Sequence, residues 1–370
     1  MQDIEWKGID NMDIKSSIGV EFFGNSESDK LIRDIIGKIK DEQFEEIRNS
    51  ILNGIWILNA QEQEYILSNI SDYNRIRKYL IYRDDFRHPM RERRFPIYIV
   101  VEPSSICNLR CAMCFQQDKR LQSPQYMGKM ALGLWKQIID EASQCGCKAL
   151  TIAGRGEPLV NPYIADMLSY AKGKFIELKL NTNGLLLTDK IIHAILDAQV
   201  DIVVFSNEAY CEEDYQKTRC GAINGFTKLV RNIERFNEIK SEKYPLSKTK
   251  TRVCGVSQSF IDSHKFYEFW KDKVDEVALT DYEERKDTYN NKPVNVEMPC
   301  DRLWQRLYIW WDGKLSPCDI DYLNAINLGR IDDGNSIFDA WNGNLLGEIR
   351  EKHLCKGRHE IEPCVRCIYS

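Results

Sequence analysis

The first 95 residues of this 370-residue chain contain none of its thirteen cysteines. Long apolar runs are also absent, and none approaches the roughly 20 residues that a helix needs to cross a bilayer. Residues 1–5 are acidic and lack the basic and apolar regions of a signal peptide. From these absences we expect a cytoplasmic protein with no membrane partner.

The balance of charge is slightly acidic, with a formal net charge of −5. A general nucleic-acid-binding protein usually presents a basic face, so this balance predicts no nucleic-acid partner. Apolar residues make up 43% of the chain, enough for a substantial core. In a reducing cytosol, thirteen cysteines are expected as metal ligands or free thiols rather than as disulfides.

Three cysteines lie close together just after a short apolar run at 97–101. Cys107, Cys111 and Cys114 have C-x3-C-x2-C spacing. Thiolates this close in sequence can bind one iron–sulfur cluster from a single loop. Three ligands for a four-iron cluster leave one iron open to a substrate or cofactor, as in a catalytic zinc site. The alternatives are three structural cysteines or part of a zinc site.

This spacing, with the aromatic Phe115 directly after the third cysteine, resembles the radical S-adenosylmethionine (SAM) enzymes. The resemblance implies that Cys107, Cys111 and Cys114 hold a 4Fe–4S cluster whose open iron chelates SAM. It also implies that one electron, supplied by a flavodoxin- or ferredoxin-type donor, splits SAM into methionine and a 5′-deoxyadenosyl radical. Phe115 is then a cofactor-binding residue.

Short β-branched or apolar runs alternate with amphipathic stretches from residue 97 onward. The predicted strands are 97–102, 148–153, 175–181, 201–206, 252–257 and 276–280. Such alternation predicts an α/β fold with parallel strands and crossover helices. The resemblance implies a partial (β/α)6 TIM-like barrel. We predict a mainly helical extension at 1–95, the core barrel at 96–290 and a small SPASM/twitch domain at 291–370.

The ends of the predicted strands carry the candidate cofactor and substrate residues. Gly156, Glu157 and Pro158 match the family's Gly-Gly-Glu-Pro motif, which holds SAM, whereas Arg155 replaces its first glycine. On its own this segment also fits an ordinary strand-to-helix turn. The resemblance assigns Asn181 and Ser206 to cofactor contacts, with helix capping as the alternative for Ser206. Glu208 is a candidate catalytic residue, and Cys254 is a candidate hydrogen-atom donor.

A second set of cysteines lies near the carboxyl terminus. Aromatic and branched residues flank Asp312-Gly313, which predicts a β-hairpin that returns the chain toward its starting point. The region resembles the SPASM and shortened twitch extensions of radical SAM enzymes, which bind auxiliary clusters. We predict one auxiliary 4Fe–4S cluster, with Cys355 outside it; a structural zinc site is the alternative. The predicted ligands are Cys300, Cys318, Cys364 and Cys367.

These motifs leave three hypotheses for function. The first is an enzyme that takes hydrogen from a small polar molecule, a carbohydrate or nucleotide sugar, with oxidation, dehydration or epimerisation as the outcome. The second is a maturase that epimerises or cross-links a ribosomally made peptide through a thioether. The third is a non-catalytic zinc-binding protein. Function lies in sites rather than in folds, so the sequence does not choose among the reactions.

Overall fold

The structure, a computed structural model, describes residues 27–280, 288–294, 296–331 and 334–368. The chain divides into two compact units, one at Ser17–Glu92 and one that includes Arg93–Ser370. The domain boundaries proposed at residues 95 and 290 stay predictions. Among the described residues, none of the helices combines the length and apolarity needed to span a bilayer.

The described part of the smaller unit consists of four α-helices with short connections. Asn59 and Glu62 form a reciprocal capping box at the start of the third helix. The Glu62 carboxylate is buried and accepts hydrogen bonds from the Trp56 and Arg83 side chains, 3.3 and 3.2 Å away. Residues 27–92 are therefore helical, as predicted. The helices are α1 (Glu27–Lys38), α2 (Glu45–Leu52), α3 (Ala60–Ser68) and α4 (Tyr73–Arg87).

The larger unit contains six parallel strands that match the six predicted ones within two residues at each end. They form neighbours in the order β6-β5-β4-β3-β2-β1, as repeated strand–helix–strand units require. This arrangement confirms the predicted α/β fold class. The strands are β1 (Tyr98–Val101), β2 (Ala149–Ile152), β3 (Glu177–Thr182), β4 (Ile202–Ser206), β5 (Lys250–Val256) and β6 (Glu276–Thr280).

Helices fill the connections between these strands and cover one face of the sheet. For example, the ring of Phe205 on β4 packs edge-on against Phe236, with ring centres 6.4 Å apart. Polar caps set the start of several helices; Thr188 accepts a hydrogen bond from the backbone of Ile191. The helices are α5 (Leu132–Gln144), α6 (Ile164–Ala171), α7 (Asp189–Asp197), α8 (Glu212–Thr218), α9 (Gly225–Lys243), which carries Phe236, and α10 (Ser263–Trp270).

The opposite face of the sheet, here called the inner face, is defined by side-chain alternation. Because successive side chains of a strand point to opposite sides, the neighbours of helix-facing Phe205 face inward. The parallel register places Ser206 level with Cys254, and Val204 level with both Asn181 and Arg252. The inner face therefore carries Lys179, Asn181, Ser206, Arg252 and Cys254.

The predicted hairpin at Asp312-Gly313 is present, with Gly313 at a φ of 85° in the turn. The hairpin also joins the main sheet, which the sequence did not predict. Its first strand, β7 (Arg306–Ile309), pairs in parallel with β1 and extends the sheet; β8 (Leu315–Ser316) then forms the edge. On the inner face Val100 of β1 packs with Tyr308 and Trp310. Two helices follow, α11 (Ile337–Asn342) and α12 (Asn344–Leu354).

Candidate functional site

The three cysteines at 107–114 lie in the loop that follows β1, at the carboxyl end of the strand. The backbone N–H of Leu109 donates to Cys107 Sγ, and that of Gln116 donates to Cys114 Sγ, each over 3.4 Å. Backbone donors of this kind stabilise negative charge on sulfur. The loop therefore offers an environment suited to thiolates rather than to an apolar thiol cluster.

Burial opposes the ionisation of these thiols when no metal balances their charge. It raises the pKa of Cys107 to about 12 and that of Cys114 to about 11, and it also raises the pKa of Cys111. The charges of Cys111 and Cys114 raise the pKa of Cys107 further, so the three sulfurs lie within electrostatic reach of one another. A cationic iron core bound there would offset this cost, because metal-bound thiols are deprotonated. The donor set fits the expected cluster.

Arg219 contacts the cysteine loop through Cys111. Its Nη1 donates to Cys111 Sγ over 3.7 Å, and its Nε donates to Glu208 over 2.7 Å. The second Glu208 oxygen accepts from Nη2, so the pair is bidentate, and the Glu208 side chain is only 2% exposed. Both carboxylate oxygens of this candidate catalytic residue are thus engaged by Arg219. Backbone bonds from Arg110 and Ala112 to residues 220 and 218 fix the same contact.

The turn after β2 packs directly beneath the cysteine loop. A Cβ added to Gly156 would lie 2.4–2.5 Å from the backbone oxygens of Ser104 and Ile106, so no side chain fits at this position. Glu157 is buried, and its carboxylate accepts hydrogen bonds from the Thr182 hydroxyl and the Asn183 backbone, 2.6 and 2.7 Å away. Burial raises the pKa of Glu157. Gly156 and Glu157 therefore tie the ends of β1, β2 and β3 together.

Arg155, the departure from the family motif, is buried in an ion pair within the protein. Its Nε and Nη2 bind the Glu102 carboxylate over 3.0 and 2.7 Å, and its Nη1 donates to the backbone oxygen of Tyr322. The guanidinium also lies 4.1 Å from the ring centre of Trp310. The carboxylate that this arginine binds is therefore an internal one, and the residue joins β1, β2 and the hairpin.

Phe115 stacks on Tyr322, and Pro158 begins a short helical turn. The Phe115 and Tyr322 rings are nearly parallel, with an angle of 9° between their planes and 5.2 Å between their centres. The Tyr322 hydroxyl reaches Asp118 over 3.2 Å. Pro158 opens the 3₁₀ helix Pro158–Val160. These two candidate SAM residues thus border the cysteine loop, and their cofactor roles stay predictions.

The remaining sequence-predicted residues meet on the inner face. The side-chain oxygen of Asn181 is buried without a hydrogen-bond partner in the described part of the chain. Burial raises the pKa of Cys254, whereas the cations Arg252 and Lys179 act to lower it. Cys254 therefore shares one electrostatic environment with charged side chains of β3 and β5. The structure brings Asn181, Ser206 and Cys254 together on neighbouring strands.

The four predicted ligands near the carboxyl terminus form a second group, in which Cys300 and Cys367 are buried and Cys318 and Cys364 are half-buried. Burial raises the pKa of Cys364 strongly, and the charges of Cys318, Cys300 and Cys367 raise it further. All four predicted ligands therefore lie within electrostatic reach of one another. In the described ranges, no set of three or more His, Cys, Asp or Glu residues is arranged for a single metal ion. Cys355 is exposed at the end of α12.

Three arginines surround this second group. Arg358 is 2% exposed and donates to the backbone oxygens of Cys364 and Cys367. Arg306 binds Asp319 over 2.6 Å, and Arg302 lies 4.0 Å from the same carboxylate oxygen. The charge of Cys318 acts on both of these arginines. A cluster with four thiolate ligands carries net negative charge, so this cationic surrounding fits it.

Several of these residues were not found from the sequence. Arg219, Glu102 and Tyr322 have no local motif, because each acts on a partner 53 or more residues away. The arginines of the second site also escaped notice. The clearest signal in the sequence was the position of Arg302, which lies two residues after Cys300.

Two family models match this chain in the order that the motifs predict. The Radical SAM superfamily model matches residues 101–257, from the end of β1 to the end of β5. The SPASM model, an iron–sulfur cluster-binding domain, matches residues 300–368 and so contains all four predicted ligands of the auxiliary cluster. The two matches cover the regions that the structure identifies as candidate sites.

Relatives of known function match only in part. The chain is 37% identical over 110 residues to the tungsten-containing aldehyde ferredoxin oxidoreductase cofactor-modifying protein of Pyrococcus furiosus, covering 30% of each protein. It is 22% identical over 162 residues to the dTDP-4-amino-4,6-dideoxy-D-glucose ammonia-lyase of Streptomyces venezuelae, covering 41% of this chain and 31% of that enzyme. The chain thus spans about a third of the length of these relatives.

Solved structures show the same fold over most of the chain. Streptococcus suis SuiB bound to precursor peptide SuiA gives a TM-score of 0.54 at 15% identity, covering 90% of this chain and 85% of that chain. SuiB bound to S-adenosylmethionine covers the same shares with a TM-score of 0.51. At this identity the likeness concerns the fold.

The family matches exclude the non-catalytic zinc protein that the sequence left open. They agree with the cysteine loop after β1 and with the group of four cysteines near the carboxyl terminus. The cofactors that this family uses are SAM, a SAM-binding 4Fe–4S cluster and auxiliary iron–sulfur chemistry in the SPASM domain. The chain belongs to the radical SAM superfamily and is a radical SAM enzyme with a carboxyl-terminal SPASM domain.

Proposed function

We propose that this enzyme takes a hydrogen atom from a small polar substrate, a carbohydrate or nucleotide sugar, bound against the inner face. The observation that carries the proposal is the grouping of Asn181, Ser206 and Cys254 at the carboxyl ends of β3, β4 and β5. In barrels of parallel strands, this end holds the chemistry. Cys254 is also within electrostatic reach of Glu208 and Arg219, which contacts Cys111 of the loop.

Cys107, Cys111 and Cys114 would hold the SAM-binding cluster, and together with SAM it supplies the 5′-deoxyadenosyl radical. Phe115, Gly156, Glu157 and Pro158 line the same loop and are the proposed SAM contacts. Gly156 keeps the turn close to the loop backbone, and Phe115 offers a ring face. Asn181 and Ser206 stand on the inner face as polar contacts to SAM or the substrate. The electron donor is proposed to be of the flavodoxin or ferredoxin type, and the location cytoplasmic.

Glu208 is proposed to act through Arg219 rather than as a free base, because both of its oxygens are already bound to the guanidinium. By fixing Arg219, it holds a positive charge beside Cys111 Sγ. Cys254 is the proposed hydrogen-atom donor, if the reaction returns a hydrogen atom. Its thiol stays protonated at neutral pH because burial raises its pKa. A thiol with an intact S–H bond is the form that can give up a hydrogen atom.

Cys300, Cys318, Cys364 and Cys367 would hold one auxiliary cluster. Arg302, Arg306 and Arg358 place positive charge around it, opposed by Asp319. Positive charge favours the more negative, reduced state of a bound cluster. This supports a role as the acceptor of one electron from a substrate radical, so that the overall reaction is an oxidation.

The choice of a sugar substrate rests on the named relative that acts on a dideoxy-aminosugar nucleotide. A second candidate, peptide maturation, has its own support. The likeness to SuiB, solved with its precursor peptide, covers 90% of this chain. The described part of residues 27–92 is helical and has no strand, so it lacks the strand-rich wing expected of a winged-helix leader-binding module.

The experiment is to measure 5′-deoxyadenosine from anaerobically reconstituted protein, SAM and a low-potential reductant. Three arms compare no substrate, a panel of sugars and nucleotide sugars, and candidate precursor peptides. Stimulation by a sugar supports the proposal, and stimulation by peptides alone replaces it with the maturase. A Cys254→Ser variant tests the donor, because it should alter the ratio of product to deoxyadenosine when the reaction is an epimerisation.

A further inference from the structure

Three polar side chains of the inner face have no partner in the described part of the chain. Lys179 makes no ion pair there, the Asn181 side-chain oxygen is buried without a hydrogen bond, and the Ser206 hydroxyl likewise forms none. Lys179 and Asn181 are two residues apart on β3, and Ser206 stands on the neighbouring strand. Buried polar groups in proteins are almost always hydrogen-bonded, so the unpaired Asn181 oxygen points to a ligand, and Lys179 and Ser206 offer polar groups beside it.

Charged side chains of both signs share the inner face with these three residues, and Glu177 lies two residues before Lys179 on the same face of β3. Arg252 of β5 is level with Asn181 across β4, and it contacts Glu276 through Nε over 2.6 Å. Glu276 thus balances Arg252, whereas Lys179 forms no ion pair within the described part of the chain. Lys179 and Arg252 both lower the pKa of Cys254, so the two cations converge on the place where the substrate is proposed to bind.

Lys179 has half-buried surroundings, and an unpaired ammonium in that position is costly unless an anion joins it. Lysine presents three donors on a flexible stem, which suits a compact anionic group. The Asn181 oxygen and Ser206 hydroxyl accept from hydroxyls or amines of the same molecule. Lys179, Asn181 and Ser206 together are therefore suited to bind a polar molecule with one anionic end.

We propose that Lys179, supported by Arg252, is the subsite for an anionic oxygen group of the substrate, a phosphate or a carboxylate, with Asn181 and Ser206 binding its neutral polar part. This inference rests on the proposed function for its place in the reaction, and it narrows the substrate class from polar molecules to anionic ones. It involves no bond making or breaking.

Direct binding tests the subsite without any radical chemistry. Calorimetry on the reconstituted protein would use two probes, inorganic pyrophosphate and succinate, to distinguish phosphate from carboxylate. We expect saturable binding of at least one probe and a tenfold or greater loss of affinity in Lys179→Gln, since that variant loses a charged hydrogen bond to the anion. Lys179→Arg keeps the charge and should retain most of the affinity.

The matched control is Lys172→Gln, which changes an exposed lysine just after α6 and should bind like the parent protein. The absence of saturable binding of either probe below about 10 mM would overturn the subsite. So would equal binding by the parent protein and Lys179→Gln, provided that iron content and melting temperature show a folded variant.

Turnover then distinguishes failure of the subsite from failure of the proposed function. The substrate panel should contain matched pairs that differ only in the anionic group, such as glucose and glucose 1-phosphate. Preference for the phosphorylated member, lost in Lys179→Gln through a raised KM, supports both ideas. Equal stimulation by both members keeps the sugar proposal and removes the subsite. Probe binding with stimulation only by peptides keeps the anion subsite and removes the sugar proposal.

Discussion

Phe115 and Tyr322 stack face to face, 5.2 Å apart and within 9° of parallel, although 207 residues separate them in sequence. Phe115 immediately follows the last cysteine of the proposed SAM cluster, and Tyr322 lies four residues after Cys318 of the proposed auxiliary site. Tyr322 is fully buried and also contacts Tyr289 edge-on. The stack is therefore a direct packing contact between the loop of the proposed SAM-binding cluster and the segment that follows Cys318 of the proposed auxiliary site.

Replacing Tyr322 with alanine should destabilise the protein and weaken SAM binding. The loss of a buried ring costs about 3–5 kcal/mol, and Phe115 would lose the surface that fixes its orientation. Tyr322→Phe keeps the ring and loses the hydrogen bonds of the hydroxyl, and the one to Asp118 is worth about 1 kcal/mol. Thermal unfolding and equilibrium binding of SAM to the reconstituted protein measure the two effects. Unchanged SAM affinity in a folded Tyr322→Ala variant would contradict the link.

Cysteine substitutions at the two proposed sites should each remove one cluster, which is about four iron atoms, and leave the other cluster in place. Cys107→Ala would remove the SAM-binding portion and abolish deoxyadenosine formation, because the cluster loses one of only three ligands. Cys318→Ala would remove the auxiliary portion and leave some SAM cleavage. Cys355→Ala, at an exposed position, is the control and should keep the full iron content. Iron and acid-labile sulfide analysis measures the cluster content of each variant, and a deoxyadenosine assay run in parallel measures SAM cleavage. Full iron in Cys318→Ala would rule out the proposed auxiliary ligands.

Local pattern was enough to predict the six strands and the cysteine loop. Each strand is a short β-branched run, and β1 delivers the loop directly at its carboxyl end. The hairpin at Asp312-Gly313 was predictable for the same reason, since its turn residues and flanking strands are neighbours in sequence. The parallel pairing of its first strand with β1 was not, because that pairing joins Tyr98 to Arg306 across 208 residues.

Long-range electrostatic partners were also beyond the reach of sequence patterns. Arg155 replaces a glycine of the motif after β2, and its partner Glu102 lies 53 residues earlier. Arg219 reaches Cys111 across 108 residues. A charged residue in a sequence does not reveal whether it will be solvated or buried in a pair, because that depends on which strands become neighbours. The inner-face position of Lys179 follows from alternation, but its lack of a partner needs the structure.

Breaking the Arg219–Glu208 pair should cost more than a surface ion pair would. Arg219→Gln leaves Glu208 buried and uncompensated, which costs about 3–5 kcal/mol. The double variant Arg219→Gln, Glu208→Gln should recover part of this loss, because no buried charge remains. Denaturant unfolding of the parent protein, the two single variants and the double variant tests the coupling. Additive effects of the two single changes would show that the pair is not coupled.

The same variants should change the SAM-binding cluster, because Arg219 places positive charge 3.7 Å from Cys111 Sγ. Its loss should lower the midpoint potential of that cluster, while Arg219→Lys should lower it less. Potentiometry followed by electron paramagnetic resonance is the measurement. Arg235→Gln, which removes an exposed arginine from α9, is the control. An equal shift in that control would attribute the effect to overall charge rather than to contact with Cys111.

Gly156→Ala should disrupt the packing between the turn after β2 and the cysteine loop. The new methyl group would lie 2.4 Å from a backbone oxygen of residue 104, which cannot move independently of β1. Overpacking of this kind costs about 3 kcal/mol, and we expect poor cluster loading as well. Gly133→Ala in α5 meets no atom within 4 Å and should stabilise the protein by about 0.5–1 kcal/mol. Melting temperature and iron content distinguish the two. A Gly156→Ala protein as stable as the Gly133→Ala one would refute the steric argument.

Acidification should destabilise the SPASM region through His353. Burial and the nearby Arg358 lower the pKa of this histidine from its usual 6.5 to about 4, and its Nδ1 accepts a hydrogen bond from the Cys300 backbone. The unfolded chain therefore binds a proton that the folded chain excludes at any pH between these values. Stability from the neutral ring is fully present above about pH 6.5 and falls as pH drops toward 4. Between pH 7 and 5 the loss is about 2 kcal/mol.

His353→Gln retains an acceptor and cannot titrate, so it should show a shallower loss over the same range. Denaturant unfolding of both proteins, kept anaerobic at pH 7 and pH 5, gives the difference directly. Acid lability of the clusters acts on both chains and cancels in the comparison. If the two proteins lose stability equally, His353 is not the group responsible, and the neutral ring beside Cys300 contributes to packing alone.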